Sequence, residues 1–121
     1  MKILIVEDDL VIAESLANEL SKWNYDVKVV ENFDKIMEDF HEMDPQLVLL
    51  DINLPTLNGF HWCQEMRKVS NVPIMFISSR TDNMDQIMAI QMGGDDFIEK
   101  PFNLSLTLSL IHISEPTRLR R

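Results

Sequence analysis

The chain has little cysteine, little positive charge and no long hydrophobic run, and each shortage excludes a class of protein. Its 121 residues include one cysteine, Cys63, so an internal disulfide is excluded and a reducing compartment is favoured. No stretch approaches the roughly 18 consecutive apolar residues of a membrane span. The first apolar run ends at Val6, too early for a signal peptide, and Glu7 follows it directly. We therefore predict a soluble, cytoplasmic protein.

Positive charge is scarce, because 11 lysine and arginine residues face 20 aspartate and glutamate residues, for a formal net charge of −9. Nucleic acids and anionic membranes are themselves negative, so we expect the chain to bind neither directly. A chain of this length corresponds to one domain, which can bury roughly two-thirds of the surface of its unfolded form.

Short apolar runs alternate with stretches of helical periodicity along the chain. The runs predict strands at residues 3–6, 27–30, 47–51, 74–77 and 96–99. The periodic stretches predict helices with inner faces at Ile12, Leu16, Leu20 and Trp23, then Phe33, Ile36, Met37 and Phe40 after an Asn32 cap, then Phe60, Cys63 and Met66, then Met84, Ile87, Met88 and Gln91. This alternation predicts an α/β, flavodoxin-like, doubly wound five-stranded parallel sheet with order 2-1-3-4-5.

Polar residues follow several predicted strands at the same end. Glu7 and Asp8 come directly after the first strand, and Asp51 closes the third. Ser78 and Lys100 end the fourth and fifth strands. The carboxyl ends of parallel strands share one edge of the sheet, so we expect these side chains to meet there. The strand order reverses between strands one and three, which is where such sheets bind their ligands. The sequence thus predicts a site of three carboxylates, a hydroxyl and an ammonium.

Oxygen ligands without histidine or cysteine favour a hard cation, and Mg²⁺ fits this set best. Asp8 and Asp51 are expected to be direct ligands, the backbone carbonyl of Asn53 a third, and Glu7 a ligand through water. Asp9 lies one residue further along and is expected to point outward or to cap the first helix.

Asp51 is the candidate nucleophile of this site. A phosphoryl group on Asp51 would place its oxygens near the cation, the Ser78 hydroxyl and the Lys100 ammonium. All three would stabilise the charge that develops in phosphoryl transfer.

These residues give the chain a resemblance to the receiver domain of two-component response regulators. The resemblance covers residues 1–104 and rests on Val6-Glu7-Asp8-Asp9, Leu49-Leu50-Asp51-Ile52-Asn53-Leu54-Pro55 with Gly59, Phe76-Ile77-Ser78-Ser79, and Gly94-Asp95-Asp96-Phe97-Ile98-Glu99-Lys100-Pro101-Phe102. It implies a signalling switch rather than an enzyme, in which Asp51 accepts a phosphoryl group from a sensor histidine kinase with Mg²⁺. Self-phosphorylation from small donors and autodephosphorylation are also implied.

The resemblance assigns roles to further residues. Ser78 is the expected switch hydroxyl, Phe97 the switch aromatic and Lys100 the charge partner of the phosphoryl group. Asn53 and Arg80 each lie two residues beyond a strand-end residue of the site. There they would flank the approach of water and tune the lifetime of the acyl phosphate.

The Asp95-Asp96-Phe97 pattern resembles the OmpR/PhoB type, in which a winged-helix DNA-binding domain follows the receiver. That effector domain, which would regulate transcription, is expected to be missing from this chain. Residues 92–97 resemble regulators that respond to bacitracin and similar antimicrobials and pair with short intramembrane-sensing kinases. The resemblance also implies a homodimer through the face of helix 4, strand 5 and helix 5.

The segment 105–121 departs from the family, whose receivers finish with a charge-rich amphipathic helix. Its leucines alternate at period two, which favours a strand, and Pro116 would break a helix. Leu104, Leu108 and Ile111 nevertheless align on one helical face, so we predict an imperfect helix up to Ile111. We expect this segment to be atypical, of vector or frame-shift origin, and to impair the dimer face.

Three other functions share parts of this pattern. A haloacid dehalogenase-type phosphatase needs a second Asp two residues after its nucleophile, where this chain has Asn53. A flavodoxin needs a hydroxyl- and glycine-rich phosphate loop after the first strand, where the acidic Glu7, Asp8 and Asp9 would repel a phosphate. The stronger rival is a receiver-like interaction module that is never phosphorylated. Such modules generally lose part of the acidic or lysine set, all of which is present here.

Overall fold

A computed structural model describes residues 1–55, 57–78 and 96–99, with the backbone alone for residues 78 and 96–99. The elements are β1 (Lys2–Val6), α1 (Leu10–Lys22), β2 (Asp26–Val29), α2 (Ile36–Met43), β3 (Leu47–Asp51), α3 (Gly59–Arg67), β4 (Ile74–Ser78) and β5 (Asp96–Glu99). The predicted fourth helix, Arg80, Lys100 and the segment 105–121 lie outside the described residues. No helix in the described ranges combines the length and the hydrophobicity needed to cross a bilayer.

The strands form one parallel sheet in the order β2-β1-β3-β4-β5, which confirms the predicted doubly wound topology. β3 is buried along its whole length, between β1 on one side and β4 on the other. An apolar strand covered on both faces is what its unbroken aliphatic run predicts. Val6 pairs in register with Leu50, and Asp51 pairs with Ile77. This register brings the carboxyl ends of β1, β3 and β4 to one edge.

Alternate side chains of the strands pack on opposite faces of the sheet, so the described residues form two hydrophobic cores. One core joins the sheet to α2 and α3 through Leu4, Val6, Val30, Ile36, Phe40, Val48, Leu50, Ile52, Phe60, Cys63, Met66, Val72, Ile74 and Phe76. The other joins it to α1 through Ile3, Ile5, Ala13, Leu16, Leu20, Leu47, Leu49, Met75 and Ile77. Full burial of each large side chain contributes about 1.5–3 kcal/mol, so the helices are held to the sheet mainly by these contacts.

The inner face of α1 differs from the predicted stripe at its end. Leu16 and Leu20 are buried as predicted, but Trp23 is 52% exposed, so its predicted place on the inner face was wrong. The helix ends at Lys22, and Trp23 is its C-cap. Asn24 then takes a positive φ of 64°, which turns the chain toward β2 beyond the exposed Trp23.

The start of α2 also differs from the prediction. Asn32 does not cap the helix, which begins at Ile36 after Lys35. The Asn32 side chain instead accepts a hydrogen bond from the Asp34 amide at 2.9 Å, and its carbonyl accepts one from Lys35 at 3.0 Å. Asparagine stabilises such turns as readily as it caps helices, and here the turn precedes the helix. Ile36 and Phe40 are buried, as the predicted inner face requires.

Candidate functional site

Glu7, Asp8 and Asp51 bring three carboxylates together at the carboxyl edge of the sheet. One carboxylate oxygen from each lies within 4.8 Å of the other two. Glu7 is fully buried and Asp51 is 2% exposed, whereas Asp8 is exposed. Aspartate and glutamate are almost never fully buried unless they are paired or bind a cation. The site therefore combines two buried carboxylates with one that is open to solvent.

The sheet register places these side chains. Val6 and Leu50 are partners on adjacent parallel strands, so Glu7 and Asp51, the next residue of each, leave the sheet side by side. Asp8 begins the turn into α1. The predicted grouping of Glu7, Asp8 and Asp51 thus follows from two strands and one short loop.

Backbone amides orient the two buried carboxylates. The Asp9 N–H donates to Glu7 Oε2 at 3.0 Å, and the Asn53 N–H donates to Asp51 Oδ1 at 3.2 Å. Hydrogen bonds to a charged acceptor are stronger than neutral ones. Each loop after a strand therefore fixes the carboxylate at the end of that strand, before any ligand arrives.

Asp9 lies outside this cluster and caps α1, which confirms one of its two predicted roles. Its Oδ1 accepts hydrogen bonds from the amides of Val11 at 3.0 Å and Ile12 at 3.3 Å. These amides belong to the first turn of the helix, where no backbone acceptor is available. In the acidic run after β1, Glu7 and Asp8 therefore belong to the carboxylate cluster, and Asp9 caps the helix.

Replacing Asp9 with alanine is expected to lower the free energy of unfolding by about 0.5–2 kcal/mol, because two amides lose their acceptor. Asp9→Asn should retain most of that stability, since asparagine caps helices about as well as aspartate. Urea denaturation of both variants beside the wild type measures the difference. An equal loss in both would mean that the charge of Asp9, and not its capping bonds, stabilises this helix end.

The loop after Asp51 ends at Gly59, which lies against the backbone of Asp51 and Ile52. Asn58 caps α3 by accepting a hydrogen bond from the His61 amide at 3.0 Å, and Gly59 is the first residue of the helix. The Gly59 N–H donates to the Ile52 carbonyl at 2.8 Å. A Cβ atom on Gly59 would lie only 2.2 Å from the Asp51 carbonyl oxygen. This contact was not predicted from the sequence. The signal that could have indicated it is the Asn-Gly pair directly before a helical stripe.

The remaining predicted site residues are placed only in part. Asn53 is exposed, and its amide is bonded to Asp51 as described above. The backbone of Ser78 ends β4 and pairs with Glu99 of β5. Ser78 is therefore one residue beyond Ile77, the partner of Asp51 on the neighbouring strand. The backbone of Phe97 pairs with that of Phe76. Lys100 and Arg80 lie outside the described residues.

The donor set fits a hard divalent cation. Carboxylates held this close repel one another, and a cation removes that repulsion. Glu7, Asp8 and Asp51 offer only oxygen ligands, which Mg²⁺ prefers, and the exposed Asp8 leaves a path to solvent. Because Mg²⁺ keeps several waters and is held by one or two carboxylates, it suits a cluster that has one side open to solvent.

The family model of the response regulator receiver domain matches residues 3–112. An uncharacterized transcriptional regulatory protein of Bacillus subtilis (strain 168), YvcP, is 53% identical over 110 residues, which are 91% of this chain and 46% of that protein. The response regulator protein GraR of Staphylococcus aureus is 45% identical over 109 residues, or 90% of this chain and 49% of that protein. This chain therefore spans about half the length of these relatives.

A solved structure gives the same result at the level of the fold. The N-terminal domain of the nisin resistance regulator NsrR, described as a lantibiotic response regulator, superposes with a TM-score of 0.84 at 48% identity. The match covers 94% of this chain and 97% of that domain.

Proposed function

Because the chain belongs to the response regulator receiver domain family, we propose that it is the phosphorylation-dependent switch of a transcriptional regulator. The observation that carries the proposal is the cluster of Glu7, Asp8 and Asp51, with Asp51 at the end of the fully buried β3. The chain spans 46% of the B. subtilis relative and 49% of the S. aureus one. This coverage supports an effector domain outside these 121 residues. We place the receiver at residues 1–104, as the sequence motifs imply, while the family model extends to residue 112.

Asp51 is the phosphoacceptor in this proposal. A carboxylate oxygen of Asp51 attacks the donor phosphorus as the bond from phosphorus to its leaving group breaks. That leaving group is the histidine nitrogen of the kinase or the acyl oxygen of a small donor such as acetyl phosphate. The product is an aspartyl phosphate on the domain. The hydrogen bond from Asn53 holds the Asp51 carboxylate in place for this attack.

Asp8 and Asp51 would hold Mg²⁺ directly, with the Asn53 carbonyl as a third ligand and Glu7 acting through a water. When bound, the ion neutralises charge on the phosphoryl oxygens. Glu7 is buried and hydrogen-bonded to the Asp9 amide, so its carboxyl group is held in place behind the exposed ligand Asp8.

Four other residues complete the proposed switch. Lys100 pairs with the phosphoryl oxygens, and Ser78 moves to hydrogen bond one of them. The space that Ser78 leaves admits the Phe97 ring, which alters the face formed by helix 4 and β5. Arg80, together with Asn53, limits the access of water and sets the lifetime of the acyl phosphate. Autodephosphorylation then returns the domain to its resting state.

One relative supports a stimulus. NsrR is a nisin resistance regulator. We propose that this cytoplasmic domain likewise serves a response to cell-envelope antimicrobials such as bacitracin, with a sensor histidine kinase as its phosphodonor. Its phosphorylated form is proposed to dimerise through the face of helix 4, β5 and helix 5. The atypical segment 105–121 would impair that face. The domain itself would not contact nucleic acid.

Incubation with acetyl phosphate and Mg²⁺ tests the phosphoacceptor assignment. We expect one acid-labile phosphate per chain, seen by intact-mass spectrometry, because the acidic cluster accepts a phosphoryl group only when its charge is neutralised. Chelation of Mg²⁺ should abolish labelling, and excess Mg²⁺ should restore it. If the protein takes no phosphate from acetyl phosphate or from any histidine kinase, the unphosphorylated interaction module becomes the better description.

A further inference from the structure

The first residue of α3 lies against the backbone of the proposed phosphoacceptor. A Cβ on Gly59 would lie 2.2 Å from the Asp51 carbonyl oxygen and 3.0 Å from both the Asp51 carbonyl carbon and the Ile52 Cα. All three atoms are backbone, so none can swing aside as the end of a side chain can. Any other residue at position 59 would push α3 and the Asp51–Ile52 peptide apart by roughly 1 Å, which is enough to spoil a preorganised site.

The core holds α3 on the other side of this contact. Phe60, Cys63 and Met66 are 8%, 0% and 0% exposed, and the Phe60 ring lies 5.3 Å from that of Phe76 in β4. Moving the helix would open this packing. The Asp51–Ile52 peptide is held as well, because Ile52 is 1% exposed in the same core and its amide donates to the Ile77 carbonyl at 3.2 Å. Neither side can move freely, so any displacement would disturb the peptide that joins Asp51 to the exposed Asn53.

We propose that Gly59 is a positioning residue for the acidic site. Its lack of a side chain lets α3 brace the Asp51–Ile52 peptide, while its N–H holds the Ile52 carbonyl at 2.8 Å. Together these contacts fix the Asp51 carboxylate and the Asn53 backbone relative to Glu7 and Asp8. The proposal deepens the proposed function and rests on it for the effect on phosphorylation. The effect on cation binding does not depend on it.

The test compares Gly59→Ala with two controls in the same helix turn. Asn58→Ala removes the cap bonded to the His61 amide, and Phe60→Leu loosens the helix in the core, yet neither adds an atom next to Asp51. Mg²⁺ affinity is measured by NMR titration at a temperature where circular dichroism shows each variant folded. We expect Gly59→Ala to weaken Mg²⁺ binding about 10–100-fold, as loss of a residue that supports metal ligands does. Both controls should stay within about twofold of the wild type, because their effect is on stability.

Each outcome decides the proposal. Mg²⁺ affinity in Gly59→Ala equal to that in Asn58→Ala would overturn it. A Gly59→Ala chain that stays unfolded even in trimethylamine N-oxide, which favours compact states, would also overturn it and leave Gly59 a purely architectural role. A wild type that binds no Mg²⁺ would refute both this proposal and the proposed function.

Labelling with acetyl phosphate, measured on the same samples, separates the two hypotheses. If the wild type takes no phosphate while Gly59→Ala still weakens Mg²⁺ binding, the positioning role stands and the phosphoacceptor assignment fails. If the wild type is labelled but Gly59→Ala binds Mg²⁺ normally, the phosphoacceptor assignment stands and the positioning role of Gly59 fails.

Discussion

Asp51→Asn should lower phosphate incorporation from acetyl phosphate by at least about 100-fold, because an amide cannot replace the carboxylate nucleophile. Its stability should not fall. The amide oxygen of asparagine can still accept the hydrogen bond from the Asn53 N–H, and the shape of the buried side chain is kept. Removing one of three clustered negative charges also relieves repulsion. Intact-mass spectrometry and urea denaturation of the same preparation measure the two effects.

Asp9→Asn is the matched control for this prediction. It makes the same chemical change close to the site, but Asp9 caps α1 and stands outside the three-carboxylate cluster. Its labelling should therefore remain within a few-fold of the wild type. If labelling persists in Asp51→Asn and disappears in Asp9→Asn, the phosphoacceptor is Asp9 and the assignment to Asp51 is wrong.

Phe76→Ala should lower the free energy of unfolding by about 3–5 kcal/mol, which approaches the whole stability of many small domains. Phe76 is fully buried in β4, between the sheet and α3, and its ring lies 5.3 Å from the Phe60 ring. Truncation removes that contact and leaves a cavity beside the helix that contacts Asp51. The measurement is a urea unfolding curve, compared by its midpoint and slope.

Val69→Ala provides the comparison for a hydrophobic side chain at the surface. Val69 is 60% exposed, just beyond the end of α3, and its truncation should change the stability by no more than about 0.5 kcal/mol. Similar losses in Phe76→Ala and Val69→Ala would contradict the placement of Phe76 in the core.

Much of the fold could be predicted because the pattern that specifies it is local. The aliphatic run of β3 can be satisfied only by a strand covered on both faces, and strand-helix alternation then restricts the topology to a few forms. Strand order brought Glu7 and Asp51 to one edge without any knowledge of their contacts. Asp9 was predicted either to point outward or to cap the first helix, and the structure shows the cap.

The errors occurred where two local structures compete for one residue. Asn32 can cap a helix or shape a turn, and only the tertiary position of α2 selects the turn. Trp23 fits the helical stripe, but the helix ends at Lys22, and Trp23 is an exposed C-cap beyond it. Gly59 is different in kind. Gly59 matters because it lies against the backbone of Asp51, eight residues earlier in the chain. A sequence pattern does not show how close two such residues come in the folded chain.

The position of β3 in the sheet has a consequence for hydrogen exchange. β3 is paired on both sides and buried along its length, so its amides can exchange only when β1 or β4 separates from it. Asp51 is the last residue of this strand, and its exposed neighbour Asn53 lies two residues beyond. The boundary between slow global opening and fast local fluctuation therefore falls within the site itself. The strand that carries the nucleophile should therefore exchange its amides more slowly than the exposed part of the loop beyond Asn53.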